Sequence, residues 1–115
     1  MATTQEYQLV LLQPEGRLDL EGAKKLEKQV VGVAPQRHDL WVLDLAQVDF
    51  MDSSGLVAVV TALKAARSSG CRLVLCNLQT PVRLIFELTQ LDSAFEIFES
   101  YDAVLNNVKL NTFTS

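Results

Sequence analysis

Apolar residues recur along this chain with two alternating periods. Tyr7-Gln8-Leu9-Val10-Leu11-Leu12 reads as a first strand, and Gln13-Pro14-Glu15-Gly16 carries the proline and glycine that punctuate a turn. Gly16-Arg17-Leu18-Asp19 is then expected to form a short second strand that pairs back on the first as a hairpin. A helical period follows: Ala23, Leu26, Val30 and Val33 share one face, Asp19 is placed to cap it, Glu21 and Lys25 are spaced for an i,i+4 ion pair, and Pro35 stops it. Leu40-Trp41-Val42-Leu43 is a nearly continuous apolar run, the pattern of a strand covered on both faces, and Asp44 ends it.

The stretch from Val48 to Val57 leads through a tight polar turn, Asp52-Ser53-Ser54-Gly55, into a helix whose inner face is Leu56, Val59, Val60 and Leu63. Asp52 or Ser53 is the natural N-cap, because either side chain can accept from the unpaired amides of the first turn. Gly55, Ala58, Ala62 and Ala65 make a small-residue strip on another side, where a second backbone can approach closely, with Val57, Thr61 and Lys64 on the remaining flank. Lys64 and Arg67 suit the helix's negative end, and Gly70 suits the left-handed position after it.

Arg72-Leu73-Val74-Leu75-Cys76 reads as the next buried strand. Thr80 as cap and Pro81 at the first helical position open a short helix, Val82 to Leu88, with Val82, Ile85 and Phe86 turned inward. Phe95-Glu96-Ile97-Phe98 alternates as an edge strand should. Ser100 caps a last helix through Ala103, Val104, Leu105 and Val108, and residues 111–115 are expected to form a loose tail.

Strands alternating with helices require crossover connections, so the fold class is α/β: a mixed sheet, with an antiparallel N-terminal hairpin and parallel βα units, packed with about four helices. Binding surfaces in such sheets form beyond the carboxyl ends of the parallel strands, which gathers Asp19, Asp52-Ser53-Ser54 and Asn77 through Thr80 on one rim.

Composition narrows the function classes. The 115 residues, 49% hydrophobic and 21% charged, are read as one domain, 1–115, with enough apolar surface for a core. No apolar run approaches the roughly 20 residues of a membrane span, and Met1 to Glu6 lacks the basic start and apolar core of a secretory signal, so a cytoplasmic location and no membrane partner are expected. A formal net charge of -4 without a Lys/Arg cluster argues against direct nucleic-acid binding. Cys71 and Cys76 sit at opposite ends of one strand, too far apart for a disulfide. The single histidine, His38, forms no metal-ligand cluster and no convincing Ser/His/Asp triad. A hydroxyl at the positive end of a helix on a sheet rim is, however, well placed to carry a phosphate.

Several of these segments together resemble the STAS domain of anti-sigma factor antagonists: Gly16-Arg17-Leu18-Asp19, Leu43-Asp44-Leu45, Val48 to Leu56 with its Asp-Ser-Ser-Gly-Leu turn, Leu73-Val74-Leu75-Cys76-Asn77, and Leu84-Ile85-Phe86 with Leu91. The resemblance covers nearly the whole chain. One departure is Gln90, where family members often carry a small residue or glycine. The resemblance implies a non-enzymatic partner-switching module with Ser53 as the phosphate acceptor and Ser54 as its competitor. It further implies a partner that is both anti-sigma factor and serine kinase of the histidine-kinase-like ATPase type, and a PP2C-type phosphatase. ATP and metal belong to those partners, and no cofactor is expected here, in keeping with the lack of a Walker-type phosphate loop. Asp19, Asp52, Ser53, Ser54, Gly55, Val57, Ala58 and Thr61 are the expected contact surface. Two alternatives stay open: a STAS scaffold or accessory subunit of a stressosome-like or transport complex, and an enzyme using Ser53 as nucleophile.

Overall fold

A computed structural model describes residues 7–114, with side chains to residue 109. The expectation that Met1 to Glu6 is no signal sequence falls outside those residues. Six strands and four α-helices follow in the order β1 (Leu9–Leu12), β2 (Gly16–Leu18), α1 (Leu20–Val33), β3 (Leu40–Asp44), β4 (Val48–Met51), α2 (Ser53–Ser68), β5 (Arg72–Cys76), α3 (Thr80–Leu88), β6 (Glu96–Phe98) and α4 (Tyr101–Thr114). A 3-10 turn, Leu91–Ser93, precedes β6.

The main sheet has the order β1-β3-β5-β6 and every pair in it is parallel. Period-two alternation in its two central strands explains their continuous apolar sequence. Trp41, Leu43, Leu73 and Leu75 enter one core with Leu26, Val59, Leu63 and Phe86 of α1 to α3, while Leu40, Val42, Val74 and Cys76 enter a second with Val104 of α4. Trp41, Val42 and Leu43 are fully buried; each such side chain contributes about 1.5–3 kcal/mol relative to remaining in water.

The opening hairpin does not form. β1 pairs with β3 and β2 with β4, both in parallel, and β2 and β4 make a separate two-stranded ribbon. Instead of reversing the chain, Gln13-Pro14-Glu15 carries it out of one sheet into the next, alongside the equally short passage from β3 to β4. The two passages are tied by the Gly16 amide donating to the Gln47 carbonyl at 2.7 Å, with Gly16 at φ +79°. Val48 to Met51, not assigned to an element from the sequence, is thus a strand in its own right, with Val48 and Met51 buried, Phe50 half-buried and Asp49 exposed.

Two boundaries and one ion pair also differ from expectation. Thr80 is the first helical residue of α3, not its cap; Gln79 takes that place, its carbonyl accepting from Val82 and Arg83, and its side chain donates to the Ala46 carbonyl at 2.7 Å. The backbone of α4 runs on to Thr114 where a loose tail was expected from 111, since no glycine or proline interrupts it; Ser115 lies outside the described residues. Glu21 and Lys25 are not among the ion pairs of the described residues, both side chains being exposed. The expected caps Asp19 and Ser100 hold, accepting from the amides of Gly22 at 3.0 Å and Ala103 at 3.1 Å. Gly70 has the left-handed conformation, φ +74°.

Candidate functional site

The ribbon β2-β4 brings two helix starts side by side. Leu18 is in register with Met51, so Asp19 and Asp52, the next residues of each chain segment, cap neighbouring helices. The Asp52 carboxylate accepts from the amides of Ser54 at 2.9 Å and Gly55 at 3.2 Å, and this decides the cap in favour of Asp52. Ser53 is then the first residue of the helix and Ser54 the second. The Asp19 carboxyl is held below its ordinary range chiefly by the Gly22 amide that donates to it, with a smaller contribution from nearby Arg17.

Both starts use one device, Asp-x-x-Gly: Asp19-Leu20-Glu21-Gly22 and Asp52-Ser53-Ser54-Gly55. A β-carbon on Gly22 would stand 2.1 Å from the Arg17 carbonyl oxygen, and one on Gly55 the same distance from that of Leu18. Each glycine lets a helix start rest directly on the backbone of β2. Arg17 also stacks over the ring of its strand partner Phe50, 3.8 Å from the centroid, and lies 3.7 Å from Asp19. The cation–π contact fixes the ribbon's outer face, while the ion pair is exposed and adds little.

Leu20 and Ser53 occupy the same position in their two helices, the first, and both are exposed. Together with Ala23, Lys24, Glu27, Ser54 and Val57 they line an open cleft of about 330 Å³. Leu20 is 59% exposed and Val57 61%, so two apolar side chains flank the hydroxyl of Ser53 in water. A second cleft, about 440 Å³, continues between α1 and α2, with Thr61, Ala62 and Ala65 on one wall and Val30 and Val31 on the other. Ser53, Val57 and Thr61, spaced four apart, are the exposed edge of α2 along both.

Gly55 and Ala58 are placed differently from the other expected contact residues. Both are buried, Ala58 to 1% exposure, because the small-residue strip is where β2 and α1 pack. They set the closeness of that packing, while Ser53, Val57 and Thr61 of the same helix are exposed.

The rim also divides. Asn77 and Gln79 do not join Asp19 and Asp52; they converge on the end of β3. Asp44, only 7% exposed, accepts from Asn77 Nδ2 at 3.1 Å, Gln13 Nε2 at 3.1 Å and the Ala46 amide at 3.0 Å. Asn77 has φ +58°, a conformation asparagine tolerates better than most residues. In the sequence Asp44 marks only the end of a strand; the signal of its further role is a lone carboxylate directly after four apolar residues. Nearby Cys76 is fully buried, and desolvation, with the Asp44 charge second, pushes its thiol up to about 11. Both cysteines are free thiols.

No triad assembles on Ser53. His38 precedes the amino end of β3, its carbonyl accepting from the Cys71 thiol at 2.8 Å, whereas Ser53 follows the carboxyl end of β4. Among the described residues, no helix is long and apolar enough to cross a membrane.

Comparison with known proteins agrees with this geometry. The sequence matches the STAS domain family over residues 1–104. BtrV of Bordetella bronchiseptica, named as an anti-sigma factor antagonist, is 32% identical over 89 residues, covering 77% of each chain. The anti-sigma-B factor antagonist of Bacillus subtilis is 33% identical over 82 residues, 71% of this chain and 74% of that one. Among solved structures, an anti-sigma factor antagonist from Thermotoga maritima superposes with a TM-score of 0.80 at 27% identity, over 88% of this chain and 87% of that chain. These relatives are regulators by name.

Proposed function

We propose that this chain, which belongs to the STAS domain family, is a non-enzymatic anti-sigma factor antagonist whose binding is switched by phosphorylation of Ser53. The observation that carries the reading is the exposure of Ser53 at the first position of α2, between exposed Leu20 and Val57 on an open cleft. A kinase active site needs an accessible hydroxyl on a firm support, and Asp52 with Gly55 makes the support firm. Ser54 is half-buried and its amide is engaged by Asp52, so Ser53 is the better acceptor.

Phosphate adds about -1.5 to -2 charges at neutral pH. At a helix N-terminus such charge is favoured, typically by about 0.3–1 kcal/mol, so the domain tolerates it without refolding. A partner that must cover Leu20, Ser53, Val57 and Thr61 would instead have to desolvate a hydrated dianion, which is costly without matching cations. The unmodified protein binds and the phosphorylated one is excluded.

The partner in this reading is an anti-sigma factor that is also a serine kinase of the histidine-kinase-like ATPase type, opposed by a PP2C-type phosphatase, all in the cytoplasm. The test is capture from a lysate of the protein's own host on immobilised parent, Ser53→Ala and Ser53→Asp proteins. An ATPase-fold kinase retained by the first two and lost from the third, which labels the parent with phosphate and not Ser53→Ala, supports the reading. Equal capture by all three, with no label at residue 53, defeats it.

A further inference from the structure

The cleft at the head of α1 and α2 holds a cation that the switch as described leaves unused. Lys24 is exposed, one turn into α1, and shares the cleft's walls with Ser53, Ser54 and Val57. Among the described residues it has no ion-pair partner, whereas Arg17 is drawn to Asp19 and Arg72 to Glu96. The carboxylates nearby are otherwise placed: Asp52 receives two amides of α2, Asp19 receives that of Gly22, and Glu27 lies a turn further along α1. A cation on one helix thus faces a hydroxyl on the other, across a gap walled by Leu20 and Val57.

We propose that Lys24 is the counter-ion of the phosphate on Ser53, and that this pairing draws its side chain across the cleft and closes the apolar seat between Leu20 and Val57. The proposal rests on the reading of Ser53 as the phosphate acceptor and adds a second element to the switch. Lysine suits the role, being a point charge on a flexible four-carbon stem that can swing through water without a fixed fork geometry. A phosphoserine dianion offers three strong acceptor oxygens, and charge-assisted bonds to them outlast neutral ones. In the unmodified protein nothing anionic faces Lys24 from α2 except the occupied Asp52 cap, so the side chain stays in solvent and the seat is open. Phosphorylation then excludes a partner by covering its contact residues as well as by added charge. Lys28 provides the comparison: it lies along α1 beside Lys24, Glu27 and Val31 but is not part of the lining of the cleft that holds Ser53.

The test installs phosphoserine at residue 53 during translation, so that no kinase is needed, in the parent, Lys24→Gln and Lys28→Gln backgrounds. Phosphorus-31 NMR then follows the second ionisation of the phosphate at low salt. An opposite charge nearby favours the dianion, so the parent should titrate lower than Lys24→Gln by roughly half a unit, with Lys28→Gln like the parent, and the difference should shrink at high salt. Contacts from the Lys24 stem to the Val57 methyl groups, across the cleft, should appear only in the phosphorylated protein. Identical titration of all three, or equal shifts for both lysine variants, overturns the pairing while leaving Ser53 as a phosphate acceptor intact. A host kinase that modifies Ser54 and never Ser53 removes the premise, and the pairing's role with it.

Discussion

The carbonyl oxygen of Leu18 lies where a β-carbon on Gly55 would have to go, 2.1 Å from its ideal position. That one contact sets how closely α2 sits on β2, and hence where Ser53 is displayed. The obstacle is backbone, with no flexible side chain to move aside, so Gly55→Ala should cost about 2–3 kcal/mol, the upper part of the range for overpacking. Gly32, also helical, has open space around it, and Gly32→Ala should gain up to about 1 kcal/mol. Urea denaturation of the two variants checks both signs.

Gln90 holds φ +61° just after the last residues of α3, where the chain turns towards the 3-10 segment. A left-handed conformation strains a residue with a β-carbon and leaves glycine unstrained. Gln90→Gly should therefore raise stability by up to about 1 kcal/mol after the entropy of the glycine is counted, seen as a higher urea midpoint at unchanged slope. A loss of stability would mean that the Gln90 side chain contributes more than its backbone strain removes.

Asp44 collects three donors from three segments, Gln13, Ala46 and Asn77. Asp44→Ala leaves all three to find water at a partly buried site and should cost about 2–3 kcal/mol. Asp39, whose carboxylate accepts from the exposed Gln8 amide at 2.8 Å, should cost clearly less when changed to alanine. Thermal or urea unfolding of the two variants decides whether the β3 end is an energetic centre or only a geometric one.

Glu96 and Asp19 both have carboxyls below their ordinary range, Glu96 chiefly through its hydrogen bond from Arg72 and Asp19 chiefly through the Gly22 amide. Each therefore binds fewer protons folded than unfolded as pH falls below about 4, so its contribution is present above that range and is lost as pH drops through the lower folded value. Stability should fall on acidification, and Glu96→Gln and Asp19→Asn should each flatten that slope. Cys76 acts in the opposite direction, raised to about 11 from 9.0: its contribution is whole below 9.0 and lost as pH climbs towards 11. Urea titrations at a series of pH values read both limbs.

Much of this was legible in the residues because the two periods are clean. Strands β3 and β5 show their two-sided burial as unbroken apolar runs, and the faces of α1 and α2 follow the 3.6 spacing. The Asp-Ser-Ser-Gly turn was found as a helix start for the same reason. The parallel ribbon was not legible: Leu9–Leu12 and Gly16–Leu18 lie close in sequence with Pro14 and Gly16 between them, which is the local signature of a hairpin. Only the distant partners β3 and β4 decide against reversal. The same non-locality hid Asp44, whose three donors come from positions 13, 46 and 77. Lys24 was invisible as a neighbour of Ser53 because one-dimensional spacing gives no crossing point for two helices.

The central claim is that a phosphate on Ser53 decides whether this surface can be occupied. Calorimetric titration of the purified host kinase of the histidine-kinase-like ATPase type into protein carrying serine or phosphoserine at residue 53 tests it most directly. The account predicts binding to the serine form and at least about a hundredfold weaker binding to the phosphoserine form, the scale expected for burying an unmatched charge in an interface. Equal affinity for the two forms would contradict it.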